Sequence, residues 1–533
     1  MSKVHPYNLL HNPWIPVVWR SDAAEPRPRK IGIREALLRA PEIRCISHTA
    51  PFIEFGLHRL LITIVLDAYI VARQRPTVGR VRQMLEARQF DWSVLEPYLD
   101  QHKNAFELWD SDRPFLQRKG AKDKRAEAVV RMFAAIPSGT NVVHWNHFAE
   151  DETRITEEVA AQFLTTVSPW NFKTKPGEAR TLAGEPPMYA LVLGERLSQT
   201  IALNLPRPSG RVTARQERDR GPVWRTPLDD LAKLPKVPTV AQGFTWPVRV
   251  IELQNNGARV AKAMNRCAYK DRTKRERERK GNLFAWRDPN AGTESGKFLV
   301  NHIKVRPGVP VWRDAVPLFL VASEGDMLRG EPPWNSAKGI VRRSRPEAIT
   351  NALRVLEEDQ FRVAVYGMRK KSGGGGDMKV EEWFRSVLAL PSEVARDSRL
   401  SARAFDAFKT TQKVANALQT ALRMLRAPSE VRKTARKDTH GDEGDALAAF
   451  WQGLEPVLTH SYLEALANND SKAEDDLCGK LRRQAREAFS RAAGPQRRTA
   501  DGLFRIANAR NRLEGRLAGL LPKSSREKSE GSA

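Results

Sequence analysis

The stretch around residue 145 combines flat rings with polar side chains. Its sequence, SGTNVVHWNHF at 138–148, contains His144, Trp145 and Asn146. The two rings could stack on a base or a sugar, and the Asn146 amide can both donate and accept hydrogen bonds, so the stretch favours a contact with nucleic acid. The plainer alternative is an ordinary turn in which Trp145 anchors the loop to a core.

A metal site is the second alternative for the same stretch, because three of its side chains are possible ligands: His144, His147 and Asp151. A catalytic metal needs about three protein ligands in a shaped cavity, and no further His or carboxylate pattern supports one. The sequence also contains no phosphate-loop, HExxH, His-Asp or paired-carboxylate motif. The absence of these motifs weakens every enzyme interpretation, including a metal-dependent nuclease.

Residues 366–383, YGMRKKSGGGGDMKVEEW, place three cations directly before four glycines. The cations are Arg369, Lys370 and Lys371, and Ser372 separates them from Gly373. Glycine adopts turn conformations that other residues avoid, so the pattern predicts the tip of a hairpin. A flexible linker would also be rich in glycine, but it would need no cations. The charge therefore favours a tip held against the phosphates of a nucleic-acid duplex.

The chain as a whole is strongly basic. Its 533 residues include 89 Lys and Arg against 63 Asp and Glu, a formal net charge of +26. Each phosphate that a cation neutralises releases condensed counterions, so this excess favours a polyanionic partner over a merely solvated, arginine-rich surface. Positive charge is concentrated in two places. One is DRTKRERERK at 271–280, a pattern that is also typical of an exposed, ion-paired helix. The other is a basic edge near the C-terminus, made of Arg423, Arg426, Arg432, Lys433, Arg436, Lys437, Arg482, Arg483 and Arg486.

Cysteine content and hydropathy indicate a reducing, aqueous environment. Cys45, Cys267 and Cys478 lie far apart and form no CxxC pair, so neither a disulfide framework nor a zinc ribbon is expected. The longest apolar run, residues 60–66, is far shorter than the ~20 residues that span a bilayer, and it predicts a buried helix. The N-terminus does not resemble a signal peptide. We therefore expect a cytoplasmic protein with no membrane contact and no cofactor.

The elements that must position these residues fall into two parts. Helices are predicted from Ile33 to Pro41 and over 52–74, whereas 134–345 is expected to contain strands, such as Met188–Gly194 and Thr200–Leu205, joined by loops. Four amphipathic helices follow and predict an antiparallel four-helix bundle; they cover 395–426, Asp445–Leu466, Asp475–Ala493 and Gly502–Leu520. The predicted class is α+β, with a mixed domain at 1–380, the bundle at 381–522 and a disordered tail at 523–533.

Four motifs, in order along the chain, resemble the large subunit of the type I-E CRISPR surveillance complex, Cascade. They are Asn8-Leu9-Leu10 with Asn12-Pro13-Trp14-Ile15-Pro16-Val17; Arg113-Pro114-Phe115-Leu116-Gln117 with Lys119-Gly120; Ser138-Gly139-Thr140-Asn141; and Tyr366 to Arg369 with Lys379 to Trp383. The resemblance spans nearly the whole chain. It implies a non-catalytic subunit that reads the protospacer-adjacent motif (PAM) of double-stranded DNA, opens the duplex to start an R-loop, and recruits a helicase-nuclease, while RNA pairing reads the sequence. A generic RNA-binding scaffold is a further alternative.

The resemblance also implies roles for particular stretches and partners. The partners are the crRNA 5′ handle, the target DNA, the other Cascade subunits and the helicase-nuclease effector. Residues 138–148 would reach the RNA 5′ end and the PAM. The family's glycine-rich minor-groove loop corresponds to 168–187, where this chain keeps only Gly177 and Gly184. Either Gly177 alone approaches the groove closely, or Asn171 and the nearby lysines read the groove with their side chains. An ordinary surface loop is the alternative. The residues implied at the PAM are His144, Trp145, Asn146, Asn171, Lys173, Lys175, Gly177, Arg277 and Lys280.

Two further sites follow from the resemblance. In the family the hairpin is a wedge that displaces the first base pair, and its usual glutamine or asparagine is absent here, so Ser372 or a lysine would substitute. The wedge residues are Arg369, Lys370, Lys371, Ser372 and Gly373. The C-terminal basic edge could guide the displaced strand through Arg423, Arg426, Arg432 and Lys433. A solvated helical face is the alternative for that edge, and the family's zinc-site cysteines are missing apart from Cys267.

Overall fold

The computed structural model describes residues 6–21, 28–120, 127–129, 154–170, 186–207, 212–226, 238–247, 249–254, 260–261, 263–268, 283, 286–288, 301–302, 310–320, 328–329, 340–372, 378–425 and 442–522.

The N-terminal part is built around one long helix. The strands are β1 Ile15–Trp19, β2 Lys30–Ile31 and β3 Ile43–Ile46, in the sheet order β2-β1-β3, and the helices are α1 Ile33–Leu38, α2 Pro51–Val71, α3 Val78–Ala87 and α4 Trp92–Gln101. The side chains of Thr77 and Asp91 cap α3 and α4 by accepting backbone N–H bonds at 3.2 and 3.0 Å. The predicted helices at 33–41 and 52–74 are confirmed as α1 and α2.

Helix α2 is buried on all sides. Residues from Phe52 to Ile70 are buried almost without exception, including the polar Glu54, Arg59 and Asp67. A helix that is apolar around its whole circumference belongs in a core, so the buried helix predicted for 60–66 is confirmed. Within the described ranges, no helix is both long and apolar enough to cross a membrane.

The middle of the chain is more helical than its sequence predicts. Its helices are α5 Glu157–Leu164, α6 Val167–Trp170, α7 Leu197–Leu203, α8 Ala214–Asp219, α9 Val240–Thr245, α10 Val311–Phe319 and α11 Glu347–Ala352. Its strands are β4 Glu127–Ala128, β5 Ile155–Thr156, β6 Tyr189–Leu193, β7 Arg249–Gln254, β8 Val260–Ala261, β9 Ala263–Ala268, β10 Trp286–Asp288, β11 Asn301–His302, β12 Leu328–Arg329 and β13 Ile340–Ser344. The strand predicted within 188–194 is confirmed as β6, but the expectation of strands and loops alone is wrong.

The strand predicted at Thr200–Leu205 is wrong, because α7 occupies most of that segment. The Gln199 amide oxygen accepts from the backbone nitrogens of Glu195 and Arg196 at 3.0 and 3.2 Å, which satisfies donors at the helix start. At the other end, Asn204 bonds to both backbone groups of Val192 on β6. A short apolar run fits either structure, and these two polar side chains decide in favour of the helix.

A long antiparallel hairpin follows the middle region. Its strands are β14 Gln360–Ser372 and β15 Met378–Pro391, and β6 pairs with the other edge of β14, giving the order β15-β14-β6. The remaining sheets have the orders β4-β9-β7, β5-β8 and β11-β10-β13-β12. The hairpin predicted around residue 370 is therefore confirmed. Strand β15 runs through the predicted domain boundary at 380/381, and the division into domains stays a prediction.

Helices make up most of the described C-terminal part, and four of them are 15 residues or longer. They are α12 Ser392–Arg396, α13 Ser398–Met424, α14 Asp442–Pro456, α15 Tyr462–Ala467, α16 Ala473–Ala493 and α17 Ala500–Leu520, with a π-helical turn at Val457–Ser461 and a 3-10 turn at Gly494–Arg498. Arg403 on α13 donates to Glu474 on α16 at 2.9 Å, and Arg486 on α16 donates to Glu514 on α17. The mixture of helices and small sheets agrees with the predicted α+β class.

Two apolar cores hold these elements together. One surrounds α2. The other begins on β14 at Val363 and Val365, passes through Trp312 of α10, and continues among the C-terminal helices around Phe450 and Trp451. The hairpin therefore contributes side chains to both cores, since Ala364 and Tyr366 belong to the first. This shared packing makes the hairpin, together with β6, which also contributes to both cores, a structural link between the two halves of the chain.

A buried carboxylate on α2 gives the fold a pH dependence. Asp67 is fully buried, and it accepts hydrogen bonds from the Tyr98 hydroxyl at 2.6 Å and from Arg225 at 3.3 Å. Burial raises its pKa from 3.8 to about 6, although Arg225 and Tyr98 both act to lower it. The pKa of Asp67 is therefore higher in the folded chain than in the unfolded chain. For this reason the contribution of Asp67 to stability is fully present below about pH 4 and is lost as pH rises through about 6.

We therefore expect Asp67→Asn to become more stable relative to the parent chain as pH rises from about 5 to about 7.5. The difference in free energy of unfolding, measured by denaturant titration, should shift by about 1 kcal/mol in favour of the variant. Asp112→Asn is the control, because the Asp112 side chain is 87% exposed and should show no such shift. A free-energy difference between Asp67→Asn and the parent that stays constant over this pH range, or that shifts in favour of the parent, would contradict the raised pKa of Asp67.

Candidate nucleic-acid interface

The hairpin is fixed to α2 by one buried carboxylate. Tyr366 and Arg385 face each other across the β14–β15 ladder. Both donate to the same oxygen of Glu54, the Tyr366 hydroxyl at 2.5 Å and the Arg385 Nε at 2.8 Å. Glu54 is 5% exposed. Burial, together with the nearby Glu54 charge, raises the pKa of Tyr366 well above its ordinary value, so its hydroxyl remains a proton donor.

Aromatic packing extends this anchor toward the tip. Trp383 lies two residues before Arg385 on β15, and its ring centroid is 4.5 Å from Phe52 and 5.1 Å from Trp170. The Trp170 indole donates to the Phe52 carbonyl at 2.9 Å. Rings at these separations add attraction beyond their buried area. Together with the Glu54 contacts of Tyr366 and Arg385, these ring contacts hold the hairpin against α2 and α6.

Arg369 marks the end of the anchored region. Its guanidinium makes an ion pair with Glu382 on the opposite strand and lies 5.9 Å from the Phe384 ring. Arg369 is half-buried, and its charge is engaged within the hairpin. The ladder register then shifts between Arg369 and Lys370. A bulge of this kind bends a strand and increases its local twist.

The last ladder pairs concentrate positive charge. Beyond the bulge, Lys370 pairs with Val380, Lys371 with Lys379, and Ser372 with Met378. The backbone register thus sets Lys371 of β14 opposite Lys379 of β15. The predicted wedge residues Lys370, Lys371 and Ser372 follow one another at the end of β14, and Gly373 lies outside the described residues.

The predicted minor-groove loop is rooted beside this hairpin. The chain leaves α6 at Trp170 and returns at Tyr189, whose hydroxyl donates to the Pro169 carbonyl at 2.9 Å. The rings of Trp170 and Tyr189 are 4.9 Å apart. Since Trp170 also packs on Trp383, both ends of the 171–187 segment are fixed next to the hairpin anchor. The residues predicted to act in this loop, Asn171, Lys173, Lys175 and Gly177, lie outside the described residues.

Leu283, three residues after the basic 271–280 stretch, lies at the hairpin sheet. Leu283 is buried, and its carbonyl accepts from the backbone nitrogen of Ala190 on β6 at 2.9 Å. The chain therefore reaches the free edge of β6 three residues after the basic run ends. The predicted groove-entering cations, Arg277 and Lys280, are not among the described residues.

The 138–148 stretch lies between β4 and β5. These strands pair with β9 and β8, which are neighbours along the chain, so Ala128 and Ile155, which flank the segment that contains this stretch, lie close together. The residues predicted there lie outside the described ranges; they are His144, Trp145, Asn146, His147 and Asp151. Within the ranges that are described, no group of three or more His, Cys, Asp and Glu side chains could hold a metal ion.

The C-terminal basic edge is only partly open to solvent. Arg423 is exposed in the last turn of α13, whereas Arg426, Arg432 and Lys433 lie outside the described residues. Arg482 is 7% exposed and donates to the carbonyls of Leu521 and Pro522 at 2.9 and 2.5 Å. Its inclusion in a solvent-facing edge is therefore wrong, because its guanidinium satisfies the carbonyl groups at the end of α17.

The sequence-based assignment missed the anchor that positions the interface. Glu54, Tyr366 and Arg385 were not candidates, although one signal was available. A glutamate within an otherwise apolar helix must be buried with a donor, because an unpaired buried charge is strongly unfavourable. The apolar pattern of α2 therefore predicts a hydrogen-bond donor for Glu54. It does not indicate that this donor, Tyr366, lies 312 residues further along the chain.

Comparisons with known proteins point to one family. The family model described as CRISPR-associated protein Cse1 matches residues 8–493. A curated relative, the CRISPR-associated protein CasA/Cse1 of Thermus thermophilus, is 27% identical over 269 residues, which are 48% of this chain and 51% of the relative. The chain thus spans about half the length of the curated relative it matches.

Solved structures match over nearly the full length of the chain. Cse1 from Acidimicrobium ferrooxidans has a TM-score of 0.72 at 19% identity, covering 97% of this chain and 98% of that one. Cse1 from Thermobifida fusca has a TM-score of 0.71 at 20% identity, covering 98% and 99%. A chain of a CRISPR RNA-guided surveillance complex has a TM-score of 0.68 at 18% identity, covering 97% and 99%. These likenesses establish the fold.

Removing one donor from the anchor should destabilise the chain. We expect Tyr366→Phe to lower the free energy of unfolding by about 1–3 kcal/mol, because the buried Glu54 carboxylate loses a charge-assisted hydrogen bond. Urea unfolding of the parent, Tyr366→Phe, Glu54→Gln and the double variant measures the coupling between the two residues. Tyr7→Phe is the control, since its hydroxyl makes an exposed 3.3 Å bond to the Pro13 carbonyl. Strictly additive effects of the two substitutions would contradict the anchor.

Proposed function

The chain belongs to the Cse1 family of CRISPR-associated proteins, and on this premise we propose that it is the non-catalytic large subunit of a type I-E Cascade complex. In this role it recognises the PAM of double-stranded DNA from the minor groove and wedges the duplex open. It then recruits the helicase-nuclease that degrades the target. Its partners are the crRNA 5′ handle, the target DNA, the other Cascade subunits and that effector, all in the cytoplasm.

One observation supports this proposal most: the anchored base shared by the hairpin and the 171–187 segment. The Trp170–Trp383 contact at 5.1 Å and the Tyr189–Pro169 hydrogen bond at 2.9 Å hold both roots together. A segment that reads a short motif and a wedge that opens the adjacent base pair must act within a few ångströms of each other. A common rigid base gives them that fixed separation without a further subunit.

The wedge step depends on charge at a thin tip. Unstacking the first base step costs about a few kcal/mol, and contacts with the separated strands must recover this free energy. Lys370, Lys371 and Lys379 provide charges for the phosphates at the last ladder pairs. Arg369 is held by Glu382, so in this account it stiffens the strand behind the tip. Ser372 hydrogen-bonds to the DNA strand that becomes unpaired.

The remaining roles are divided along the chain. Residues 1–380 bind the 5′ handle and the PAM, with His144, Trp145 and Asn146 in a loop that reaches both, and Arg277 or Lys280 entering the groove. Residues 381–522 form an antiparallel four-helix bundle whose edge at Arg423, Arg426, Arg432 and Lys433 guides the displaced strand. Pairing with the guide RNA reads the target sequence, so the protein itself needs to distinguish only the short PAM.

Neutralising the tip should block strand opening. We expect Lys370→Ala/Lys371→Ala to reduce the R-loop yield of the reconstituted complex at least tenfold, because the opened strands lose phosphate contacts. Binding of the guide RNA should remain unchanged. The yield can be measured by permanganate footprinting of unpaired thymines on a target duplex.

Two control variants distinguish the loss of positive charge at the tip from damage to the fold and from a general loss of charge. Lys370→Arg/Lys371→Arg keeps the charge and should retain most of the R-loop yield. Lys472→Ala/Lys480→Ala removes the same charge from α16 and the residue before it, far along the chain from the hairpin, and should behave as the parent. An unchanged yield in the alanine variant of the hairpin, or an equal loss in the α16 control, would count against the wedge.

PAM selectivity should be relaxed. A minor-groove reader separates A·T from G·C pairs but distinguishes A·T from T·A poorly. Selection of bound duplexes from a library with a randomised flanking motif should therefore enrich several related motifs, with A/T exchanges tolerated. Enrichment of a single motif would instead indicate a major-groove reader. Binding that is independent of the flanking motif would favour a generic RNA-binding scaffold.

A further inference from the structure

A groove of about 820 Å³ lies at the base of the hairpin, at the end opposite the lysine-rich tip. It is bordered by the start of β14, the end of β15, helix α12 and helix α15. The strand β14 is 13 residues long, so the groove and the tip are separated by roughly 40 Å at about 3.3 Å per residue. A ligand in the groove would therefore be remote from anything bound at the tip.

The groove is acidic although the chain is basic. Four carboxylates line it, on Asp359, Glu393, Asp397 and Glu464, together with a single cation, Arg396. Arg396 is turned to the backbone, since its Nε donates to the Leu353 carbonyl at 3.0 Å and its Nη2 bonds to the Leu356 carbonyl. Within the described part of the chain, the carboxylates of Asp359 and Glu393 have no hydrogen-bond or ion-pair partner.

A second observation points to a ligand at the same place. Ser392 forms part of the groove lining and is 1% exposed. Its backbone nitrogen donates to the Asp359 carbonyl at 2.7 Å, which holds it beside Asp359, and Glu393 follows it in the chain. Its hydroxyl is buried and has no hydrogen-bond partner. Native proteins rarely leave such a group unsatisfied, so the hydroxyl is available for a ligand.

The spacing of these groups selects the kind of ligand. The carboxylates are too dispersed for a metal ion, since no three of the described His, Cys, Asp and Glu side chains could hold one. Phosphates would be repelled. An extended chain carrying several cationic side chains could reach the carboxylates in turn, and the aliphatic surfaces of Pro391 and Ala467 in the same lining would pack against Lys or Arg stems.

We propose that this groove binds a segment of a partner protein rich in lysine and arginine. Guanidinium or ammonium groups of the segment bond to Asp359 and Glu393, and a backbone or side-chain group pairs with the Ser392 hydroxyl. The inference does not depend on the proposed role in DNA recognition, because the site and the ligand chemistry are different.

The test uses the full chain and a fluorescein-labelled peptide in which arginine alternates with glycine. Fluorescence anisotropy at low salt should show saturable binding, and the same peptide with glutamine in place of arginine should not bind. Asp359→Asn/Glu393→Gln should weaken binding at least tenfold. Ser392→Ala should weaken it severalfold without lowering the melting temperature, because removing an unsatisfied polar group does not destabilise the fold.

A matched control removes two exposed carboxylates outside the groove, in Asp112→Asn/Asp219→Asn, and should bind the peptide like the parent. Parent-like binding by the groove variant, or an equal loss in the control, would overturn the proposal. Two further outcomes would reassign the groove. Spermine that binds as tightly as the peptide would indicate a small polycation, and dimerisation in sedimentation velocity that is lost in the groove variant would indicate a second copy of this chain.

Discussion

A single buried carboxylate determines how the rest of this molecule is arranged. Glu54 lies in a helix that is buried on all sides, and its charge is tolerable there only with donors in place. The donors come from Tyr366 and Arg385, which are 312 and 331 residues away along the chain. Pairing them brings the hairpin onto α2, and the hairpin in turn joins the core around α2 to the core of the C-terminal helices.

The anchored hairpin separates two chemically opposite ends. Its tip carries lysines at 370, 371 and 379 beyond a bulge, and its base borders a groove lined by four carboxylates. Between these ends, the strand pair is held to α2 and α6 at Tyr366, Arg385 and Trp383. We propose phosphates as the ligands of one end and a cationic protein segment as the ligand of the other, so that two partners of opposite charge would not compete.

Local signals explain which features could be predicted from the sequence. The glycine run predicted the hairpin, and continuous or periodic apolar residues predicted α2 and the C-terminal helices, because each depends on residues close together in the chain. The strand prediction for Thr200–Leu205 is wrong because the helix there is fixed by hydrogen bonds that the Gln199 and Asn204 amide oxygens accept from the backbone nitrogens of Glu195 and Val192. Likewise, nothing near Arg482 indicates that it is buried against carbonyls 39 residues later. The sequence analysis also missed the Glu54 anchor, because a local residue pattern does not indicate which distant residues pair in the fold.

The most direct measurement of the central claim is site-specific crosslinking from the hairpin tip. A benzophenone amino acid at position 372, in the complex assembled with guide RNA and target duplex, should crosslink to nucleotides of the first base pair beside the PAM. The same group at position 504, where Phe504 is 68% exposed, should give no crosslink there. Formation of R-loops without any crosslink from position 372 to these nucleotides would contradict a tip that opens the duplex.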